Sequence, residues 1–294
     1  MCIDAREALG WWTADPLAIG TVTLSSAVYA RGTSRLWRQS GVGHGIARWE
    51  ALAFALGELS LLIALVSPVD RLSDLLFSAH MTQHEVILVV APPLVVLGRP
   101  VVALMWALPG ELRARTGELL ARSDVRRAWR AVSAPLPVLL VHGLVMWVWH
   151  VPALFEMALR SEAVHAVQHA SFFATAALFW WSIVRGRYGR AGYGLAVLFV
   201  FATAAHTSVL GALLAVAERV VYPLYAERGA PYAIDAAEDQ QLAGLIMWIP
   251  AGMVFGLASL GLFAAWLGES ARRVAAAERR RRTGAAASAE HHAT

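Results

Sequence analysis

A polytopic all-α membrane protein, a bundle of seven transmembrane helices, is predicted by three observations. Apolar residues make up 58% of the 294-residue chain and charged residues only 16%, against about 25% charged in soluble domains, and the mean hydropathy is +0.54. The apolar residues fall in runs long enough to cross a hydrocarbon core of roughly 30 Å. Arginine, which supplies all the Lys and Arg positions, is concentrated in alternate connecting segments.

The seven runs lie near 16–32, 46–67, 75–97, 135–150, 165–184, 191–216 and 241–267. The first is weakly apolar, and the fourth is short unless it continues to about Val151. An eighth run, 101–109, suits a half-inserted or interfacial segment. Ala91-Pro92-Pro93 should kink or end the third helix, because neither proline has an N–H to donate. Phe179-Trp180-Trp181 and the pair Trp147 and Trp149 are read as interfacial anchors at helix ends. The chain divides into an N-terminal extracytoplasmic segment (1–15), a transmembrane domain (16–267) and a basic, disordered cytoplasmic tail (268–294). Residues 1–16 are polar, with Asp4, Glu7 and Asp15, so no cleavable signal peptide is expected. Cys2 is the single cysteine, which excludes an internal disulfide and a Cys-rich metal site.

Charge sets the orientation. Segment 31–50 carries Arg31, Arg35, Arg38 and Arg48; segment 98–134 carries Arg99, Arg113, Arg115, Arg122, Arg126, Arg127 and Arg130. Segment 185–190 carries Arg185, Arg187 and Arg190, and the tail contains the run Arg279–Arg282. The alternate loops hold few arginines, and loop 217–240 is acidic, with Glu218, Glu227, Asp235, Glu238 and Asp239. The positive-inside rule therefore puts the N-terminus outside and the C-terminus in the cytoplasm of a bacterial inner (plasma) membrane protein. The sequence pI near 9.7 is thus a topology signal that faces membrane lipids, and no nucleic-acid partner is expected.

With that orientation, His80, His84, His150, His165, His169 and Asp239 all lie near the outer surface. The pairs His80/His84 and His165/His169 are spaced i, i+4, which puts both rings of each pair on one helix face. Neutral imidazole is the commonest metal ligand among side chains, and ionisable groups within a membrane are functional candidates. A second layer lies ~12–15 Å below the outer surface by helix rise: Glu58, Glu85, His142 and His206. A lone Glu58 or His206 also fits an interhelical hydrogen bond. Met81 follows His80, Met146 stands four residues from both His142 and His150, and Met247 lies early in the seventh helix. Thioether and imidazole without thiolate suit Cu(I) better than zinc, although each methionine alone also fits as core filler. The metal candidates are thus His80, His84, His150, His165, His169, Met81 and Met146. Asp239, Glu85, His142, His206 and Glu58 stand behind them, with Asp239 expected to orient an imidazole through its free N–H.

The motif His80-Met81-Thr82-Gln83-His84, followed by Ala91-Pro92-Pro93-Leu94, resembles the signature of the CtaG-type assembly factors of caa-type cytochrome c oxidase. Further matches are Trp149-His150-Val151-Pro152, His165-Ala166-Val167-Gln168-His169, Phe179-Trp180-Trp181, and the stretch from Asp239-Gln240-Gln241 to Trp248-Ile249-Pro250. The resemblance covers residues 15–267 in order, and Glu85 departs from it. It implies a non-catalytic assembly factor for a heme–copper oxidase, with oxidase subunits as partners and copper as the metal delivered. Three other readings remain open: a metal-free scaffold for oxidase subunits, a b-type heme protein with axial histidines, and a seven-helix zinc hydrolase. No Ser/Asp companion set supports the hydrolase, and no catalytic residue is assigned.

Overall fold

The computed structural model describes residues 12, 13, 15–185 and 192–293, so Cys2, Asp4, Glu7, Arg187 and Arg190 lie outside the described residues. Among the described residues the chain is 87% helical, with no strands. In chain order the helices are α1 (Pro16–Ser40), α2 (Arg48–Val66), α3 (Pro68–Ser73) and α4 (Phe77–Glu85), which runs through a π turn (Val86–Val90) into α5 (Ala91–Leu97). Then come α6 (Pro100–Ala107), α7 (Gly110–Ala121), α8 (Ser123–Val132), α9 (Pro135–Trp149) and α10 (Pro152–Arg160). The last four are α11 (Glu162–Arg185), α12 (Gly192–Val216), α13 (Pro223–Gly229) and α14 (Ala236–Ala293). Proline opens α1, α3, α6, α9, α10 and α13, where its fixed φ suits the first turn and its missing N–H costs nothing.

Each of the expected apolar runs is therefore helical. Four spans, α2, α4 through α5, α12 and the first part of α14, are long and apolar enough to cross a membrane. The count is five if α8 and α9, bent by 53° at their junction, form one broken span. α1 and α11 are long enough, with 25 and 24 residues, but carry more polar side chains than the four spans. α1 carries Arg31, Arg35 and Arg38, and α11 carries His165, Gln168 and His169. Leu136, Leu140 and Leu144 on α9 are each more than 60% exposed. An outward apolar stripe of this kind fits a helix facing lipid.

Small residues let the helices approach closely. On α14, a Cβ at Gly244 would stand 2.5 Å from the Ala215 nitrogen and 2.6 Å from the Gly211 oxygen of α12. The eighth apolar run forms α6 and packs on α1, where a Cβ at Gly32 would overlap the Ala103 carbonyl. The prolines after the π turn leave a carbonyl without its helical donor, since Pro92 cannot serve Leu88. Trp180 of α11 supplies the missing N–H, its Nε1 lying 3.4 Å from the Leu88 oxygen. This corrects the interfacial reading of the aromatic run: Phe179 and Trp180 are buried in the core, and Trp181 stands edge-on to Trp129 at 5.8 Å.

The two ends of the bundle differ. At one end Arg99 and Arg185 each come within 3.8 Å of Glu50, which joins three arginine-bearing segments. At the other end Arg228 of α13 donates to the carbonyls of Asp74 (3.0 Å) and Leu159 (2.9 Å), tying the three alternate connections together. α14 continues unbroken to Ala293, through the segment that the sequence sets apart by composition as a tail.

Candidate metal centre

α4 and α11 each present an i, i+4 histidine pair, and the bundle brings the pairs face to face. One ligand nitrogen from each of His80, His84, His165 and His169 lies within 4.8 Å of the other three. The Nε2 atoms of His80 and His84 are 2.9 Å apart. Across the helices, the rings of His80 and His165 are stacked at 5.2 Å, and His84 meets His169 edge-on at 5.2 Å. Two nitrogens bound tetrahedrally at ~2.0–2.1 Å to one ion would be ~3.3 Å apart, so a small inward shift closes the four around a cation.

Buried nitrogens without partners are uncommon, yet four meet here: His84 Nδ1, His150 Nε2, His165 Nε2 and His169 Nε2. His150 closes α9 with its ring 6.3 Å from that of His84. Its Nδ1 donates to the Met146 carbonyl at 2.7 Å, which leaves Nε2 with its lone pair, the ligating form. His80 hydrogen-bonds the Ser73 backbone, a carbonyl that also accepts from the Tyr225 hydroxyl at 3.1 Å. The Tyr222 hydroxyl donates to the His150 carbonyl at 2.9 Å. Burial raises both phenols above their ordinary range, so both stay protonated donors. Phe155 lies 5.1 Å from His80, and Phe172 lies 4.9 Å from His84, walling the cluster with apolar rings.

Asp239 has a different role from the one expected. It does not orient an imidazole; its carboxylate accepts from the Phe77 N–H at 2.6 Å, from the Ser78 N–H at 3.3 Å and from the Ser78 hydroxyl. These are unpaired donors of the first turn of α4, whose own N-cap residue, Leu76, offers no side-chain acceptor. A carboxylate at a helix N-terminus meets both the free N–H groups and the positive end of the dipole. Asp239 thus positions the helix that carries His80 and His84.

The deeper layer divides in two. Glu85, His142 and Met146 line one cavity of about 10 Å³ together with Met247 and Thr207. The His206 ring lies 6.3 Å from that of His142. Glu58 is elsewhere, between α1 and α2, accepting from the Ser25 hydroxyl at 2.9 Å. Met81 is buried in the apolar core.

Outside the cluster, His165 and His169 line a wide cavity of about 840 Å³ whose rim holds Asp15, Asp70, Asp74 and Glu162 against Arg71 and Arg160. Asp70 is held by the Thr13 hydroxyl at 2.7 Å and by Gln83 Nε2 at 2.8 Å. Sequence reasoning missed this acidic mouth, because its carboxylates come from separate connections. The signal for Asp70 was Gln83, between the two ligands of the first histidine pair. Tyr222 and Tyr225 carried no signal beyond their place in the loop before α14.

A helical bundle fit for a membrane, with a buried imidazole cluster at one end, is the class that fold and site define. The family model of the cytochrome c oxidase caa3 assembly factors matches residues 27–269, and the chain belongs to that family. Uncharacterized proteins of Mycobacterium bovis (strain ATCC BAA-935 / AF2122/97) and Mycobacterium tuberculosis (strain CDC 1551 / Oshkosh) are each 26% identical to it over 271 residues, 90% of this chain and 40% of the relative. An uncharacterized protein of Mycobacterium leprae (strain TN) is 24% identical over 272 residues, 89% of this chain and 40% of the relative. The chain therefore spans about 40% of the length of the curated relatives it matches. No solved structure matches it.

Proposed function

We propose that this protein binds copper at the extracytoplasmic face of a bacterial plasma membrane and passes it to a heme–copper cytochrome c oxidase during assembly. The observation that carries the reading is the convergence of His80, His84, His165 and His169 within 4.8 Å, with three of their nitrogens buried and unpartnered. Copper is cargo: it enters by the acidic mouth, where carboxylates attract cations, and is held by imidazoles. His150 stands beside the cluster as a further donor. The reading includes seven passes, by α1, α2, α4 through α5, α9, α11, α12 and α14. The gathering of Arg99 and Arg185 on Glu50 at the end away from the histidines supports it.

Four imidazoles also suit zinc, so a zinc site is the second reading. Donors that converge on one point favour an ion over a heme plane. In the test, anaerobically purified protein is titrated with Cu(I) against a chromophoric chelator, beside the variant His80→Ala/His84→Ala. Wild type should take more Cu(I) from the chelator than the variant, which loses the histidine-held ion, and the variant should fail to support oxidase assembly in cells. Assembly that proceeds normally with the variant overturns the proposal, and preferential retention of zinc selects the second reading.

A further inference from the structure

Beneath the histidine cluster, the cavity of about 10 Å³ is lined by Glu85, His142, Met146, Met247 and Thr207 among apolar neighbours. It has room for a single ion or water and for no organic ligand. We propose that it is a second, deeper cation site, which takes a soft monovalent ion of the Cu(I) class. The proposal deepens the copper-handling reading, and the experiment below separates the two.

Three observations carry it. First, the donor set is built for ligation. His142 Nδ1 stands 3.2 Å from the Thr175 hydroxyl, whose own proton is engaged by the carbonyls of Ser171 and Phe172. Thr175 therefore accepts from Nδ1–H, and His142 Nε2 keeps its lone pair. Second, Glu85 Oε2 is buried and without a hydrogen-bond partner, as are both ring nitrogens of His206, whose ring lies 6.3 Å from that of His142. A lone carboxyl group in an apolar interior is either protonated or balanced by a positive charge, and a bound cation can displace the proton. Third, one carboxylate with two thioethers and an imidazole makes a neutral site with a monovalent ion and a charged one with a divalent ion. Thioethers prefer Cu(I), and uncompensated charge is costly in lipid.

The inner site is also connected to the outer one. Glu85 directly follows the outer ligand His84. Met146 lines the inner cavity with its side chain while its carbonyl accepts from His150. A cation leaving the outer cluster thus has a next position adjacent to it along α4.

The experiment uses full-length protein in detergent, loaded with Cu(I) under anaerobic conditions. X-ray absorption reads the ligand shell, and metal analysis reads stoichiometry. The expected result is two ions per chain with sulfur in the averaged shell. Met146→Leu/Met247→Leu, a volume-conserving pair, should leave one ion in a sulfur-free shell. His80→Ala/His84→Ala should retain a sulfur-ligated ion. A sulfur-free shell in the wild-type protein overturns the inner site and leaves the outer reading standing. A single sulfur-ligated ion in the wild type, unchanged in the histidine variant, sinks the outer reading and keeps the inner site. No bound copper overturns both.

Discussion

The carboxylate of Asp239 on α14 caps the helix that carries His80 by accepting the N–H of Phe77 at 2.6 Å. The contact joins residues 162 positions apart, so the orientation of the first histidine pair depends on a helix that supplies no histidine to the cluster. Asp239→Ala should cost about 1–2 kcal/mol, as loss of a strong N-cap does, and Asp239→Asn should cost less because the amide oxygen still accepts. Thermal unfolding in detergent measures both. An alanine variant as stable as wild type would show that the α4 terminus is held by other contacts.

A second expectation concerns close packing. Gly244→Ala should destabilise the protein by about 1–3 kcal/mol, the usual cost of overpacking, because the added methyl meets the α12 backbone. At Gly252, two turns along the same helix, an added methyl would have nothing within 4 Å. Gly252→Ala should be neutral or gain up to about 1 kcal/mol from better helix propensity. Equal melting temperatures for the two variants would sink the claim that α12 and α14 meet at Gly211 and Gly244.

Much of this was legible in the chain itself, and the physics says which parts. Hydropathy runs located the seven long helical stretches, and i, i+4 spacing put each histidine pair on one face. The facing of the pairs was not legible, because a helix pattern fixes which side is apolar and not which neighbour covers it. Asp239 shows the limit: its type and depth suggested an imidazole partner, while the free N–H groups of α4 were stronger claimants. Phe179 and Trp180 show another, since aromatic residues near a helix end suit an interface and a core equally well. The carbonyl freed by Pro92 and the ring of Phe255 give Trp180 its reasons to turn inward.

Alkaline pH should weaken the fold through the two buried tyrosines. Burial raises the Tyr222 and Tyr225 phenols above their unfolded value of ~10. Their contribution is therefore complete below pH ~10 and is lost as pH rises past it, since the unfolded chain then gains by ionising first. Tyr222→Phe/Tyr225→Phe should lose about 1 kcal/mol per hydrogen bond at neutral pH and show a flatter decline above pH ~10. Stability curves of equal slope for the two proteins would refute it.

Trp180→Phe keeps an aromatic ring and removes the donor to Leu88. The carbonyl is buried beside a proline that cannot serve it, so the expected cost is about 1–3 kcal/mol. Trp181→Phe should cost less, because Trp181 is only partly buried. Chemical denaturation of the two variants in parallel decides it, and a reversed order would place the compensating donor elsewhere.

The π turn Val86–Val90 makes chain length, rather than residue identity, the variable that aims the first histidine pair. A π turn holds one residue more than the α turn it replaces, and each residue of an α-helix turns the chain by ~100°. Below it, α5 is locked against α2, where a Cβ at Gly57 would meet Val95 and the Ala91 oxygen. Removing one residue from the turn would restore a regular helix, keep every side chain type, and swing His80 and His84 by about a quarter turn away from α11. Two rigid halves of one helix are thus set at a fixed angular offset. A lineage could abandon or acquire the four-histidine geometry by a single-codon deletion or insertion, with no histidine gained or lost.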